Sequence, residues 1–251
     1  MKHILTFILF FSLTLLHAGS QSDSLYTTAG EAYTEGLFEQ ALLDYQAILD
    51  SGRESADLYY NMGNAAFRSN KLGYAVLYYK KALKIDPSHE EAGKNLEYVS
   101  HYREDQLEQV PELFIRTWIR AVYQLFSLHT WSYLALVFFA LILAGSLTYV
   151  FSGRLGLKKT GFFTGLIALL FFALSLTAAI QRNEEIRNPS GAVIVSPSVV
   201  VKSSPSATGT DLFILHEGTE VRLNDQVGQW TEVRISDGRV GWIPEKSVAV
   251  V

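Results

Sequence analysis

A chain of 251 residues with 49% hydrophobic residues and a net charge of -4 is long enough for one or two modest domains. Its lack of cysteine excludes thiol nucleophiles, redox pairs and thiolate metal sites, and its six scattered histidines show no zinc-ligand spacing. Residues 21–110 carry fifteen acids against eight lysines and arginines, and residues 190–251 carry seven against five, so neither polar region suits nucleic acid.

The chain opens with Met1–Lys2–His3. Ile4–Leu16 follows, apolar apart from Thr6, Ser12 and Thr14, and then small residues at Ala18, Gly19 and Ser20. A basic start, an apolar middle and a small-residue exit predict a secretory signal peptide over residues 1–20. An uncleaved anchor is the rival reading, and either one carries the residues that follow out of the cytoplasm.

Residues 21–105 repeat at a period of 34: Leu25 with Tyr59, Ala32 with Ala66, Ala41 with Ala75, Tyr45 with Tyr79. Each unit predicts two short helices, Ser24–Glu35 with Glu39–Leu49 and Ala56–Ser69 with Leu72–Ile85. Gly36 and Asn70 fall at the breaks, and Asp86–Pro87 ends the fourth helix. Small Ala41 and Ala75 permit close helix approach, and the tyrosines fill the space one turn later. A further helix over Ser88–His101 buries Ala92, Leu96 and Val99, with Ser88 and Glu91 as its capping box.

Tyr59, Met62, Gly63, Ala75, Tyr79, Ala82 and Pro87 make the second unit resemble the tetratricopeptide repeat. Thr28, Ala29 and Arg53 make the first unit a weaker match. The resemblance implies an all-α solenoid of two repeats plus a capping helix, with a partner groove lined by the first helix of each unit. Carried onto this chain, the groove residues are Tyr26, Tyr33, Tyr60, Asn64, Phe67 and Arg68. Asn64 matches the carboxylate-gripping version of the family, but Tyr60 replaces its lysine.

Residues 111–128 combine Leu113, Phe114, Trp118, Ile119, Val122 and Phe126 with Arg116 and Arg120, the pattern of an interfacial amphipathic helix. Trp131–Phe151 and Thr160–Ile180 then run 21 residues each without a charge, long enough to cross a bilayer as transmembrane helices. The loop between them, residues 152–159, holds Arg154, Lys158 and Lys159 and no acid, which places it in the cytoplasm. Both polar modules then lie in the periplasm, and the chain is a multi-pass protein of the inner (cytoplasmic) membrane. No acidic, basic or histidine side chain interrupts either span, so the pair reads as an anchor in the lipid bilayer and not as an ion pathway.

From residue 190 to 251 the pattern changes to short alternating stretches: Ala192–Ser196, Val199–Lys202, Leu212–His216, Thr219–Leu223, Trp230–Ile235, Val240–Ile243 and Val248–Val251. Turns at Glu217–Gly218, Gly228–Gln229 and Asp237–Gly238, with Gly241–Trp242–Ile243, resemble a bacterial SH3-like domain. That resemblance implies a small, closed all-β barrel. It makes Trp242 a partner-contact candidate, while Lys202 replaces the family's usual arginine.

No Gly-x-Ser-x-Gly, phosphate-binding loop or His-Glu-x-x-His motif occurs, so the chain reads as a non-enzyme that needs no cofactor and no metal. The fold class expected is a multidomain membrane protein: tetratricopeptide solenoid, two transmembrane helices and SH3-like barrel. In this order the modules resemble proteins of the Bat (Bacteroides aerotolerance) operons. That resemblance implies a scaffold in an envelope complex linked to aerotolerance or stress. Its implied partners are membrane proteins with von Willebrand factor A domains and other Bat-type proteins. The alternative is an envelope sensor whose β domain binds peptidoglycan.

Overall fold

A computed structural model describes residues 24–105, 114–187 and 190–251. The signal peptide and the start of the interfacial segment lie outside the described residues.

The 34-residue period reappears in the backbone. Helix α1 (24–34) and helix α3 (Ala56–Arg68) close alike: the Leu37 N–H reaches Ala32 O at 2.9 Å, and the Lys71 N–H reaches Ala66 O at 2.9 Å. Both turns need a left-handed residue, supplied by Gly36 at φ 82° and Asn70 at φ 58°. Helices α2 (Phe38–Asp50) and α4 (Leu72–Ile85) follow these turns. Ala41, Ala75, Tyr45 and Tyr79 are all buried in one core. A Cβ on Gly63 would sit 2.6 Å from the Tyr79 ring, so the glycine is what lets α3 and α4 meet. Ser55 caps α3, its Oγ accepting from the Leu58 N–H at 3.1 Å.

Helix α5 (Glu90–Ser100) covers the second unit with Ala92 and Val99. Its cap differs from the expected Ser88. His89 is the N-cap, its Nδ1 accepting from the Ala92 N–H at 3.2 Å, while Ser88 is drawn back to Asp86 by bonds of 2.6 and 2.9 Å.

Beyond it run α6 (Phe114–Tyr123), α7 (Leu128–Phe151) and α8 (Leu155–Arg187). The expected continuous helix over residues 111–128 is broken, because Ser127 starts α7 by capping the Thr130 N–H. Trp131 is buried, its Nε1 donating to Tyr123 O at 2.9 Å, whereas Tyr133 is exposed. Lys158 and Lys159 belong to the first turns of α8, which begins earlier than the sequence suggests. Helices α7 and α8 form a hairpin whose backbones touch: a Cβ on Gly161 would lie 2.7 Å from Gly145 O.

Seven strands complete the fold: β1 (Gly191–Ile194), β2 (Ser198–Lys202), β3 (Asp211–His216), β4 (Glu220–Val227), β5 (Trp230–Arg234), β6 (Val240–Pro244) and β7 (Val248–Val250). They pair antiparallel in the order β3-β2-β6-β5-β4-β1-β7. The sheet is open, which corrects the expected closed SH3-like barrel and the fold class that included it. Closure requires β3 to pair with β7, and no such ladder exists among the described residues. Strand β7 has only three residues. Val193, Val195, Ala249 and Val251 beside this edge pack into the core of the helical repeats instead.

Helix α4 is therefore a hub. Lys71, its N-cap, gives no side-chain cap, and the Gly73 N–H donates instead to Glu217 Oε2 of the β domain at 3.0 Å. At the other end, Arg182 Nη2 of α8 donates to Lys84 O at 2.7 Å, and Lys84 Nζ donates to the Val251 main-chain oxygen at 2.6 Å. Lys80 pairs with Glu220 at 2.6 Å between these ends. One helix thus receives a carboxylate at its positive end from the sheet. At its negative end it receives a guanidinium from the long apolar hairpin.

Candidate partner-binding surface

Helices α1 and α3 carry the aromatic residues of the predicted groove, and α2, α4 and α5 supply the rings they meet. The ring of Tyr26 stands edge-on to Tyr45 at 5.8 Å, and its hydroxyl accepts from Asn61 Nδ2. Burial, and secondarily the charge of Asp57, push the Tyr26 hydroxyl pKa up against the opposing effect of the Asn61 bond. Tyr33 stands edge-on to Phe38 at 5.3 Å, and the Arg68 guanidinium lies 4.4 Å over the same Phe38 ring.

The other groove candidates turn toward α4 and α5. Tyr60 lies between Tyr79, at 6.2 Å, and His89, at 5.0 Å. Asn64 Oδ1 accepts from the Tyr79 hydroxyl at 2.7 Å and from Asn95 Nδ2 at 2.9 Å, a knot that joins α3, α4 and α5. Phe67 meets Tyr98 at 5.8 Å and Tyr102 at 5.6 Å. Five of the six sequence-predicted residues thus fall into two groups, Tyr33 and Arg68 around Phe38 and Tyr60, Asn64 and Phe67 against α4 and α5, while Tyr26 stands apart at the α1 end. Trp242 is on β6, in register with Glu232 of β5 and Lys202 of β2, on a separate module.

Tyr98 and Tyr102 are what the sequence reading missed. They are 54% and 55% exposed, their rings are 5.2 Å apart, and their hydroxyls share a 2.6 Å hydrogen bond. That bond raises the Tyr102 pKa. With Phe67 beneath them they form an aromatic ledge open to solvent. The available signal is their i,i+4 spacing, which brings two rings together edge to face at the C-terminal end of α5. The reading of α5 stopped at its buried face of Ala92, Leu96 and Val99.

Among the described residues no three His, Asp or Glu side chains gather as a metal site. The ledge offers flat apolar area with hydroxyl rims, the chemistry of protein contacts. Fold and surface define a helical-repeat protein of the kind that mediates protein–protein interactions.

The family comparison agrees with that class: the tetratricopeptide repeat model matches residues 56–89, which comprise α3, α4 and the turn into α5. The match is to a single repeat. The pair α1–α2 packs against it with the same Ala and Tyr positions but lies outside the match. No curated protein matches the chain. The resemblance of the whole chain to BatE of the Bat operons is accordingly withdrawn, since the open sheet also removes the barrel on which it partly rested. The aerotolerance link goes with it, and the partner classes named from that resemblance lose their support.

Proposed function

We propose that this chain is a membrane-anchored scaffold whose repeat domain holds a protein partner on the face bearing Phe67, Tyr98 and Tyr102. The observation that carries the reading is the exposure of Tyr98 and Tyr102 above Phe67, beside a matched tetratricopeptide repeat. Aromatic pairs that a fold leaves in water are the residue type that dominates binding energy when a partner covers them. The anchor is the hairpin of α7 and α8, two helices long and apolar enough to cross a bilayer. Its short basic turn lies on the cytoplasmic side and the repeat domain on the other.

A photo-crosslinking amino acid placed at Tyr98 or Tyr102 in intact membranes tests the partner face. Discrete protein adducts at these positions, absent from the same probe at Gln46 of α2, support it; equal labelling at Gln46 removes the face from the account. Protease added to spheroplasts tests the orientation. Cleavage within the repeat domain only after lysis would reverse it.

A further inference from the structure

A cavity of about 740 Å³ opens where α4, α6, α8 and the β1–β4 edge meet. That is within the ~300–1,000 Å³ range of small-molecule sites. Lys80, Lys84, Arg120, Arg182 and Arg222 line it. Among the described residues Glu185 and Glu220 are the acidic side chains of its wall, so the lining side chains hold three more cations than anions, with Lys80 already paired to Glu220 and Lys84 bonded to the Val251 oxygen. Arg182 is 2% exposed and already donates from Nη1 to Glu185 at 2.5 Å and from Nη2 to Lys84 O, yet its buried Nε–H has no acceptor among the described residues. A buried guanidinium donor left unmatched costs free energy unless something brings an oxygen to it. The Lys84 ammonium is held below its ordinary pKa, first by burial and, against the pull of Glu185, by the neighbouring charges of Lys81 and Arg182. An added anion relieves that crowding.

The place of the cavity selects the anion. The uncharged run of α8 ends two residues before Arg182, so the cavity stands just outside the apolar part of the hairpin. Helix α6 supplies Arg120 to the cavity wall while exposing Phe114, Ile115, Trp118 and Ile119, the two-sided pattern of a helix lying in a headgroup layer. We infer that this cavity binds a phosphate group, and that the headgroup of an anionic phospholipid supplies it. Guanidinium and ammonium donors converging on one pocket are the usual means of holding such a group. The inference rests on the proposed membrane anchoring.

The test uses the full chain purified in a maltoside detergent, with native mass spectrometry after adding phosphatidylglycerol or phosphatidylcholine. The wild-type chain should retain phosphatidylglycerol about tenfold better, because both lipids carry one phosphate but the choline ammonium of phosphatidylcholine is repelled by the cationic wall. Arg222→Gln and Lys84→Gln should each erase that preference. Arg222 is exposed on its strand, and far-UV circular dichroism establishes that its variant is folded before the lipids are compared. Thermal stabilisation by phosphatidylglycerol but not by inorganic phosphate assigns the lipid headgroup, and equal stabilisation by both assigns a free phosphate. Equal retention of the two lipids by the wild type, or an undiminished preference in folded Arg222→Gln, overturns the site. Carbonate extraction of wild-type membranes reads the anchoring separately: release into the supernatant breaks the anchoring, whereas a retained chain without lipid preference breaks the headgroup site alone.

Discussion

The two sides of the second repeat unit are finished in opposite ways. On the α4 side the chain covers itself: Gly73 lies so close to β1 that an added Cβ would meet Ile194 O at 2.5 Å, and both helix ends receive charged groups from other modules. On the α5 side Tyr98 and Tyr102 are left in water. The contrast shows how a short repeat array achieves stability without long stacking. A solenoid normally buries each unit against its neighbours; here the open sheet takes the place of further repeats on one side, which frees the other side for a partner.

Breaking the covered side has the largest expected effect. Arg182→Met strips the cation from Glu185 and the donor from Lys84 O, and should destabilise the folded chain by about 3 kcal/mol in denaturant titrations in detergent. Gly73→Val should cost about 2 kcal/mol by overpacking. Hydrogen exchange should then rise in β1 and β7 and stay slow in α3, which Ser55 caps independently.

A smaller effect follows from pH. Asp105 ties the end of the repeat domain to the sheet, its carboxylate accepting from the His216 main-chain N–H at 2.7 Å, from Thr219 Oγ1 at 2.5 Å and from the His216 ring at 2.9 Å. The hydrogen bond to Asp105 is the main cause that raises the His216 pKa. Burial pushes the Asp105 carboxyl up, but the bonds from Thr219 and His216 outweigh it and hold the carboxyl below its ordinary value. The His216 contribution is thus complete below the ordinary histidine pKa of 6.5 and fades as pH rises through the raised value. The Asp105 contribution is complete above 3.8 and fades as pH falls through the depressed one. Exchange protection of β3 and β4 should peak between these limits, and His216→Gln should flatten the alkaline side.

The uncovered face should respond least in stability. Tyr98→Ala with Tyr102→Ala should shift the unfolding free energy by only about 0.5 kcal/mol, while cross-linking to the partner falls sharply. A large loss of stability would make the ledge part of the core and reverse the comparison.

The sequence made the helical repeats legible because their signal is local: Ala41 and Ala75 with Tyr45 and Tyr79 set both the spacing and the fit of each pair. Strand positions were legible for the same reason: the ends of β1 to β7 lie within two residues of their alternating stretches, except that β4 runs on to Val227, four residues past Leu223. Closure was not, because it depends on whether β3 finds β7, and that edge is claimed by a helix more than a hundred residues earlier in the chain. Likewise, nothing near Lys71 or Asp86 tells that α4 is capped by Glu217 and Arg182. Of the groove candidates, Asn64 was read as a ligand position, yet its oxygen already serves Tyr79 and Asn95.

The central claim, that α4 joins the repeats to the sheet, can be read directly by zero-length carbodiimide cross-linking of the full chain. Lys80 and Glu220 lie 2.6 Å apart across the junction, and Lys94 and Glu90 lie 2.5 Å apart within α5 as an internal control. Peptide mapping should find both cross-links. Recovery of Lys94–Glu90 without Lys80–Glu220 would contradict the junction.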